Sequence, residues 1–309
     1  MSQPPTDAKP RLPRYHRAAD YPALRVGRPE HRLLLALGRY HYLTAAQCTR
    51  LLYRPSSLSF VREHLKRLYH AGFVNRVFVP AVTSAGSPLP VYCLDRAGFA
   101  YLAAQEAAPE GRFRSAEQVQ REWFFLRHTL AINDFLISAE RLTEQVEPLR
   151  LAEIRHEREL KRTPLSVMVD DTPVGVIPDA WLDLRQRHGD SEWQACLALE
   201  LDYSGKVNRS KWQRRIAAYL VAAGTVYPQV FGTTSLTVCV LVLASERRLA
   251  QLRSWTEMVL TARSDQAQAD LFRLAYADPA TLEPTVLFGR LGWQRPFERR
   301  PVSLLRFTK

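Results

Sequence analysis

Hydrophobic residues recur every three or four positions between Glu30 and Ala71, which is the spacing of one face of an α-helix. The pattern predicts three helices: one beginning near Glu30, one with Thr44 as its N-cap, and one from Ser57 to Ala71. Gly72 follows the third helix, where its tolerance of the left-handed conformation suits a helix end. The apolar stripe of the third helix consists of Leu58, Val61, Leu65 and Leu68.

The other face of the third helix is polar, and two strand-like runs follow it, at residues 73–80 and 90–98, with the small-residue loop Ala81–Leu89 between them. Three helices and a hairpin in this order are typical of a winged helix-turn-helix, in which the third helix enters the major groove of DNA and the loop is the wing. A winged helix that binds protein, with a solvated charged face, is the alternative. The candidate DNA contacts are Ser59, Arg62, Lys66, Arg67, His70 and, on the first strand, Arg76.

Residues 107–118 have the composition of a linker, and a long helix with a broad apolar face follows them. From Leu149 the periodicity changes to that of strands, and the last strand is apolar throughout, which indicates burial on both faces. The predicted order is helix, three strands, helix, strand, helix, which is an α/β sheet with helices on its faces. The strands are predicted at 149–160, 174–184, 193–202 and 236–244, and the helices at 117–145, 208–224 and 245–262.

Two carboxylates, Glu200 and Asp202, end an otherwise apolar strand and share one of its faces, because side chains two residues apart point the same way. If the preceding strand pairs with this one as a hairpin, Asp179 joins them. Three converging carboxylates suit a hard cation such as Mg²⁺ or Mn²⁺, which could activate a water and stabilise charge on a phosphoryl oxygen. The alternative is a salt-bridge network in which the three acids are neutralised by Lys211, Arg214 or Arg215.

The order Pro-Asp, apolar strand ending in an acid, and basic helix resembles the PD-(D/E)XK nuclease superfamily. More closely, residues 30–245 resemble the replication-relaxation family of plasmids and other bacterial mobile elements. The resemblance is carried by "PDAWLDL", "LALELDYSG", a basic helix ending in "IAAYL", and "RHTLAINDF" ahead of the sheet. It implies an α+β winged helix-turn-helix that binds DNA, joined to a restriction-endonuclease-like α/β domain, and a role in replication or mobilisation of such an element.

The chain departs from the nuclease pattern at one position. The superfamily places a lysine two residues after the strand acid, where this chain has Asp202. Such a lysine orients the attacking water and stabilises charge. In some members it has moved to the following helix; Lys211 is the better match there because arginine cannot act as a base. An Arg215 that replaces a helix lysine would leave a weak or inactive site. The predicted catalytic set is Asp179, Glu200, Asp202 and Lys211, with Lys206, Arg214 and Arg215 as further basic contacts.

Charge separates the two parts of the chain. Residues 1–115 carry 17 Lys and Arg against 7 Asp and Glu, whereas the remaining residues carry 26 against 24. A basic region beside a near-neutral one favours a polyanionic partner for the basic region. We expect a basic arm at 1–28, a DNA-binding domain at 29–115, a nuclease-like domain at 116–300 and a tail at 301–309.

Four scattered cysteines without a CxxC pair argue against a zinc site and against a disulfide framework. Neither a signal peptide nor an apolar run of membrane-spanning length is visible, so we expect a cytoplasmic protein without a membrane partner. Double-stranded DNA is the expected partner; replication or mobilisation proteins of the same element and a second copy of the chain are further candidates.

These patterns together predict a metal-dependent endonuclease or nickase that a winged helix directs to its DNA, with Mg²⁺ or Mn²⁺ as cofactor. The first alternative is an inactive nuclease fold that serves as an origin-binding, regulatory or recruitment protein. The second is an adaptor whose winged helix binds protein. Metal dependence separates the first prediction from the other two, and salt-dependent DNA affinity separates the DNA binders from the adaptor.

Overall fold

The computed structural model describes residues 16–19, 21, 23–79, 89–107, 113, 122–188, 191–203, 207–298 and 300–305. The chain divides into two compact units, residues 1–130 and 131–309. None of the helices within the described ranges combines the length and the apolarity needed to cross a membrane. All four cysteines are free and buried, as the absence of a disulfide pattern predicted.

In its described residues, the first unit contains four helices and a small antiparallel sheet. Its elements are α1 (Arg28–Tyr40), β1 (Leu43–Thr44), α2 (Ala45–Leu52), α3 (Leu58–His70), β2 (Val74–Val79), β3 (Leu89–Leu94) and α4 (Arg96–Ala104). The strands lie in the order β1-β3-β2. A long helix, α5 (Trp123–Gln145), begins in this unit.

The local signals predicted for the first unit are present. Thr44 caps α2 by accepting a hydrogen bond from the N–H of Gln47 at 3.1 Å. Gly72 follows α3 with a φ of +81°, a left-handed conformation that a side chain would strain. Three residues of the predicted stripe, Val61, Leu65 and Leu68, are completely buried. The predicted wing lies outside the described residues except for Leu89, and so do most of residues 107–118.

The second unit is built on a five-stranded mixed sheet with helices and a separate hairpin. After α5, its elements are β4 (Leu149–His156), α6 (Glu157–Leu160), β5 (Leu165–Val169), β6 (Thr172–Val176), β7 (Ala180–His188), β8 (Ser191–Asp202), α7 (Arg209–Gly224), α8 (Val226–Phe231), β9 (Thr237–Val242), α9 (Glu246–Ala262) and β10 (Phe272–Tyr276). The sheet has the order β10-β9-β8-β7-β4. Strands β8, β9 and β10 are parallel, whereas β7 and β4 are antiparallel to their neighbours.

The positions of the central strands in the sheet account for their apolar residues and their pairing. Strand β9 is apolar and lies between two parallel neighbours, which confirms the prediction of burial on both faces. Strands β7 and β8 pair as the expected hairpin, with Ala180 opposite Leu199. One face of the sheet forms a core with α7 and α9, in which Trp181, Trp212 and Leu252 are buried. This arrangement brings the end of β8 next to the start of β7.

Two predicted strands of the second unit have wrong bounds, and two further elements were missed. The strand predicted at 174–184 is broken at residues 177–179, because Pro178 has no N–H to offer a ladder. The strand predicted at 149–160 ends at His156, and a short helix follows. The β5–β6 hairpin was missed, although Asp170 and Asp171 provide its turn with φ values of 48° and 58°. Strand β10 was also missed.

The division between the units falls within α5, after Leu130. Leu126 and Leu130, in its first turns, pack in a cluster with Tyr42 and Val91 of the first unit. Phe135, further along α5, contacts Phe288 of the second unit with ring centroids 5.1 Å apart. The helix therefore supplies core residues to both units, whereas the boundary predicted at residues 115 and 116 falls within a stretch outside the described residues.

Candidate functional site

Asp179 and Glu200 form a pair of neighbouring acids at the end of β8 in the second unit. The backbone N–H of Asp179 donates to the carbonyl of Leu199 at 2.9 Å, and its Oδ2 accepts a hydrogen bond from the N–H of Leu201 at 2.7 Å. These two bonds hold the Asp179 carboxylate against the strand that carries Glu200. Glu200 itself is only 2% exposed.

Burial raises the pKa of both carboxyl groups. It raises the pKa of Asp179 to about 7; the N–H of Leu201 opposes this shift, and the carboxylate of Glu157 adds to it. Burial likewise raises the pKa of Glu200 to about 7, against the nearby Arg215 and with a further contribution from Asp179. Two carboxylates that share a buried site disfavour each other's charged form.

Both oxygens of Glu200 are bound by residues of α7. Arg215 donates to Oε2 through a short charged hydrogen bond, and the hydroxyl of Tyr219 donates to Oε1 at 2.6 Å. The two residues lie four positions apart, so they share one face of the helix. The contact between Glu200 and Arg215 is one that the salt-bridge alternative named.

Asp202 is buried against a different helix. Its Oδ2 accepts a hydrogen bond from Nε of Arg248 at 2.6 Å, and the two side chains are 6% and 8% exposed. The same guanidinium donates to the carbonyl of Val207 at 2.7 Å and to Gln251 at 2.6 Å. Asp202 is therefore part of a buried network that connects the end of β8 to α9.

This donor set does not fit a divalent cation. Mg²⁺ and Mn²⁺ need several oxygens directed at one point, but Glu200 and Asp202 are directed at two arginines on separate helices. Within the described ranges, no three residues among His, Cys, Asp and Glu are placed to hold a metal ion together. Glu200 and Asp202 each have an arginine where metal binding would need a cation.

Two further basic candidates of the second unit, Lys211 and Arg214, are exposed. Lys211 is exposed in the first turn of α7, while the contact with Glu200 is made by Arg215 one turn later. Arg214 is exposed and lines a groove of about 360 Å³ between α7, α9 and the β5–β6 hairpin. Lys206 lies outside the described residues.

Helix α3 carries most of the candidate DNA contacts of the first unit. Ser59 and Arg62 are exposed, and Lys66 is half-buried with its Nζ 3.9 Å from a carboxylate oxygen of Glu63. Such a long, exposed contact holds an ion pair only weakly. These side chains are therefore open to a partner.

Arg67 has a different environment from its neighbours on α3. Its guanidinium lies 3.2 Å from Oε1 of Glu30, which is buried in α1, and His64 contacts the same oxygen at 2.7 Å. The pKa of Glu30 is lowered overall: burial raises it, but the hydrogen bond from His64 and the charge of Arg67 outweigh that effect. Arg67 therefore joins α3 to α1 and is only partly available to a ligand.

The two remaining DNA candidates are also not fully exposed. Arg76 is half-buried and lies 3.9 Å above the ring of Tyr69. His70 was predicted on the polar face of α3, but the structure leaves it only 5% exposed. The reason is local, because residues that precede α1, including Ala18 and Tyr21, cover the last turn of α3.

Sequence reasoning missed the partners that complete these sites. Tyr219 could have been found, since it follows Arg215 by one helical turn on the face directed at Glu200. Arg248 had no comparable signal, because it comes 46 residues after Asp202 and reaches it only through the packing of α9. Arg17, which contacts the far end of α3, was counted with a basic arm and not assigned a contact.

A match to one known protein family includes both candidate sites. Residues 34–232, well over half of the chain, match the replication-relaxation family. No curated protein and no solved structure matches the chain. The matched range includes α3 and the pair formed by Asp179 and Glu200, and the family suggests a function connected with plasmids or other mobile elements. The chain belongs to the replication-relaxation family.

Proposed function

We propose that this protein binds double-stranded DNA of a plasmid or other mobile element through a winged helix in its first unit. We further propose that its second unit is a PD-(D/E)XK-like fold that lacks nuclease activity and serves in origin binding, regulation or recruitment. The main support for DNA binding is that α3 has a buried apolar face and an outward polar face. Val61, Leu65 and Leu68 on its apolar side are completely buried, whereas Ser59, Arg62 and Lys66 face outward.

The order of elements supports the assignment of the first unit. Three helices precede a two-stranded hairpin, and α3 comes directly before β2. In a winged helix this placement makes the third helix the one that enters the major groove. Exposed cations on such a helix gain affinity by displacing counterions from DNA phosphates, which makes the binding salt-dependent.

The arginines of the second unit support the absence of nuclease activity. Arg215 and Arg248 pair with Glu200 and Asp202, two of the three acids that a metal would need, and Asp202 stands where the superfamily has its lysine. An arginine cannot replace that lysine as a proton acceptor because it stays protonated. The acids are therefore best explained as internal partners of the two arginines.

DNA binding can be tested by fluorescence anisotropy with a labelled duplex of random sequence, at several salt concentrations. We expect the double variant Arg62→Ala/Lys66→Ala to bind more weakly at every salt concentration. The slope of log K against log salt should fall by about 2, since each lost phosphate contact contributes about 0.9. The matched control is Arg39→Ala/Arg96→Ala, which removes two exposed arginines of the same unit away from α3. An unchanged slope in the α3 variant would refute the proposed surface.

A metal-dependent nuclease is the second candidate, and the observation that favours it is the close pairing of Asp179 with Glu200. Supercoiled plasmid incubated with the protein and Mg²⁺, Mn²⁺ or EDTA separates the two functions. We expect the plasmid to stay intact in all three. Nicking that requires metal and disappears in both Asp179→Asn and Glu200→Gln would establish the nuclease and disprove our assignment of the second unit.

A further inference from the structure

Glu63 is the single acid of α3 and lies at the middle of its outward face. It comes two residues after Val61 and two before Leu65, and both of these side chains are completely buried. Two residues correspond to about 200° of rotation around a helix axis, so Glu63 lies opposite this apolar side. Its side chain is 62% exposed. The carboxylate is therefore on the face that a helix in the major groove presents to the bases.

The cations that we assign to DNA binding lie on either side of Glu63. Arg62 directly precedes it, and Lys66 follows it within one helical turn. These two side chains attract backbone phosphates, whereas a carboxylate repels them. If α3 bound phosphates alone, Glu63 would only lower its affinity for DNA. An acid at this position therefore calls for a different role.

The contacts of Glu63 do not supply that role within the described fold. Its carboxylate lies 3.9 Å from Nζ of Lys66, whose side chain is 40% exposed, and such an exposed pair contributes little to stability. Glu63 is also outside the first turn of α3, where an acid would complement the helix dipole. Glu30 of α1 differs, because it is 2% exposed and bound by His64 and Arg67. The first unit thus uses Glu30 internally and leaves Glu63 accessible to a ligand.

A carboxylate on this face can distinguish base pairs. When ionised it accepts hydrogen bonds and donates none. In the major groove, cytosine presents the N4 amino group, which is a donor, whereas guanine presents the acceptors O6 and N7 and thymine presents the acceptor O4. Adenine presents its N6 donor beside the N7 acceptor, which repels a carboxylate. Cytosine is therefore the base whose major-groove edge best suits Glu63.

We propose that Glu63 determines sequence specificity: its carboxylate accepts a hydrogen bond from the N4 amino group of a cytosine, so the protein prefers DNA with a C·G pair opposite the middle of α3. This inference rests on the proposed DNA binding by α3 and names the kind of duplex that this surface selects. Arg62 and Lys66 hold the helix in the groove through phosphates, and Glu63 lowers the affinity for other sequences.

The first test is selection of binding sites by the full chain from duplexes with a random central segment, followed by sequencing. We expect the wild type to enrich a motif that contains a C·G pair. Glu63→Gln keeps the shape of the side chain and adds an amide donor, which suits N6 and N7 of adenine. The preference at that one position should therefore change to an A·T pair, while the others stay the same. Glu106→Gln, at an exposed acid that follows α4, is the matched control and should select the wild-type motif.

The second test is anisotropy with two duplexes that differ only at this base pair. The wild type should bind the C·G duplex about tenfold more tightly than the A·T duplex, and Glu63→Gln should reverse the order. Glu63→Ala should bind both equally, and it should bind a random duplex more tightly than the wild type because the carboxylate no longer repels phosphates. The urea midpoints of both variants should equal that of the wild type, since the position is exposed.

A purely structural role of Glu63 gives a different result. If Glu63 only positioned Lys66, both Glu63 variants would weaken binding to every sequence by the same factor and would select the wild-type motif. That outcome overturns the inference. A position that responds to Glu63→Gln but at which the wild type prefers an A·T pair overturns it too. Loss of the C·G preference at one position without a new preference supports it, because Glu63 then reads that pair.

The inference and the function on which it rests fail differently. If the wild-type protein shows no salt-dependent DNA binding, both are wrong. If Arg62→Ala/Lys66→Ala lowers the salt slope but the wild type selects no motif, only the inference about Glu63 is wrong. If the selected motif depends on Glu63 and the slope of Arg62→Ala/Lys66→Ala is unchanged, the inference holds and the phosphate contacts assigned to these two cations are wrong.

Discussion

Helices α3 and α7 both carry arginine at positions that looked available for a ligand, yet the two are used differently. Arg62 on α3 is exposed, and the nearby Lys66 has only a weak surface contact. Arg215 on α7 is bound to Glu200, which is buried. The difference lies in the acid and not in the arginine. A buried carboxylate needs a counter-charge, and the Arg215 guanidinium that supplies it is engaged in that bond although its side chain is 43% exposed.

Among the variants that test this comparison, we expect the largest loss of stability when Arg248, the buried partner of Asp202, is replaced. Replacing it with Ala leaves Asp202 buried at the end of β8 without its cation, and breaking a buried pair in this way costs about 3–5 kcal/mol. We expect the urea midpoint of Arg248→Ala to fall accordingly. Arg247→Ala is the matched control, because Arg247 is exposed on the same helix and its loss should change stability by less than about 0.5 kcal/mol.

The double variant Arg248→Met/Asp202→Asn provides a further check. It removes both charges and keeps most of the volume, so it should recover part of the lost stability. An Arg248→Ala variant as stable as its Arg247→Ala control would mean that Asp202 is not buried with a charge. The acids of the second unit would then again be available to a metal.

How far the sequence predicted these sites depends on how local the signal was. Thr44 as a cap, Gly72 as a helix end and the stripe of α3 depend on residues within one or two turns, and all were found. Asp179 and Glu200 were brought together correctly because hairpin pairing follows from strand order. Residues joined by packing over long separations could not be found in this way.

His70 shows the limit most clearly. Its position on α3 is polar-facing by helical periodicity, which is why it was expected on the surface. Its burial depends on residues 16–21, whose composition gave no reason to place them anywhere. Arg248 is a similar case, since a basic residue in the first turn of α9 has no local reason to be buried. In both, a segment distant in sequence changes the environment of a correctly predicted element.

The second largest expected effect is the change in the free energy of unfolding with pH. The folded protein holds Asp179 and Glu200 with pKa values near 7, against ordinary values of 3.8 and 4.5. The folded state therefore binds more protons than the unfolded state between about pH 4.5 and 7, so the free energy of unfolding falls as pH rises through this window. We expect a decline of about 1–3 kcal/mol for the wild type.

Glu200→Gln should flatten that decline. It removes one titrating group and relieves the repulsion of Asp179, whose pKa then moves back toward its ordinary value. Glu246→Gln, at an exposed position, should keep the wild-type pH dependence. Chemical denaturation at half-unit pH intervals measures the difference. Equal curves for the wild type and Glu200→Gln would show that folding does not raise the pKa of Glu200.

The smallest expected effect separates two arginines on α3 itself. Arg67→Ala leaves buried Glu30 with His64 as its remaining side-chain partner, and losing a charged partner of a buried carboxylate costs about 1–3 kcal/mol. Arg62→Ala, on the exposed face, should change stability by less than about 0.5 kcal/mol. For DNA affinity we expect the reverse order, because Arg62 is exposed while Arg67 is held by Glu30. Both variants are measured by chemical denaturation and by salt-dependent anisotropy. One outcome would contradict the comparison: Arg67→Ala changes only DNA affinity, whereas Arg62→Ala changes stability. Burial of the acid would then not determine which arginine of a helix is available to a ligand.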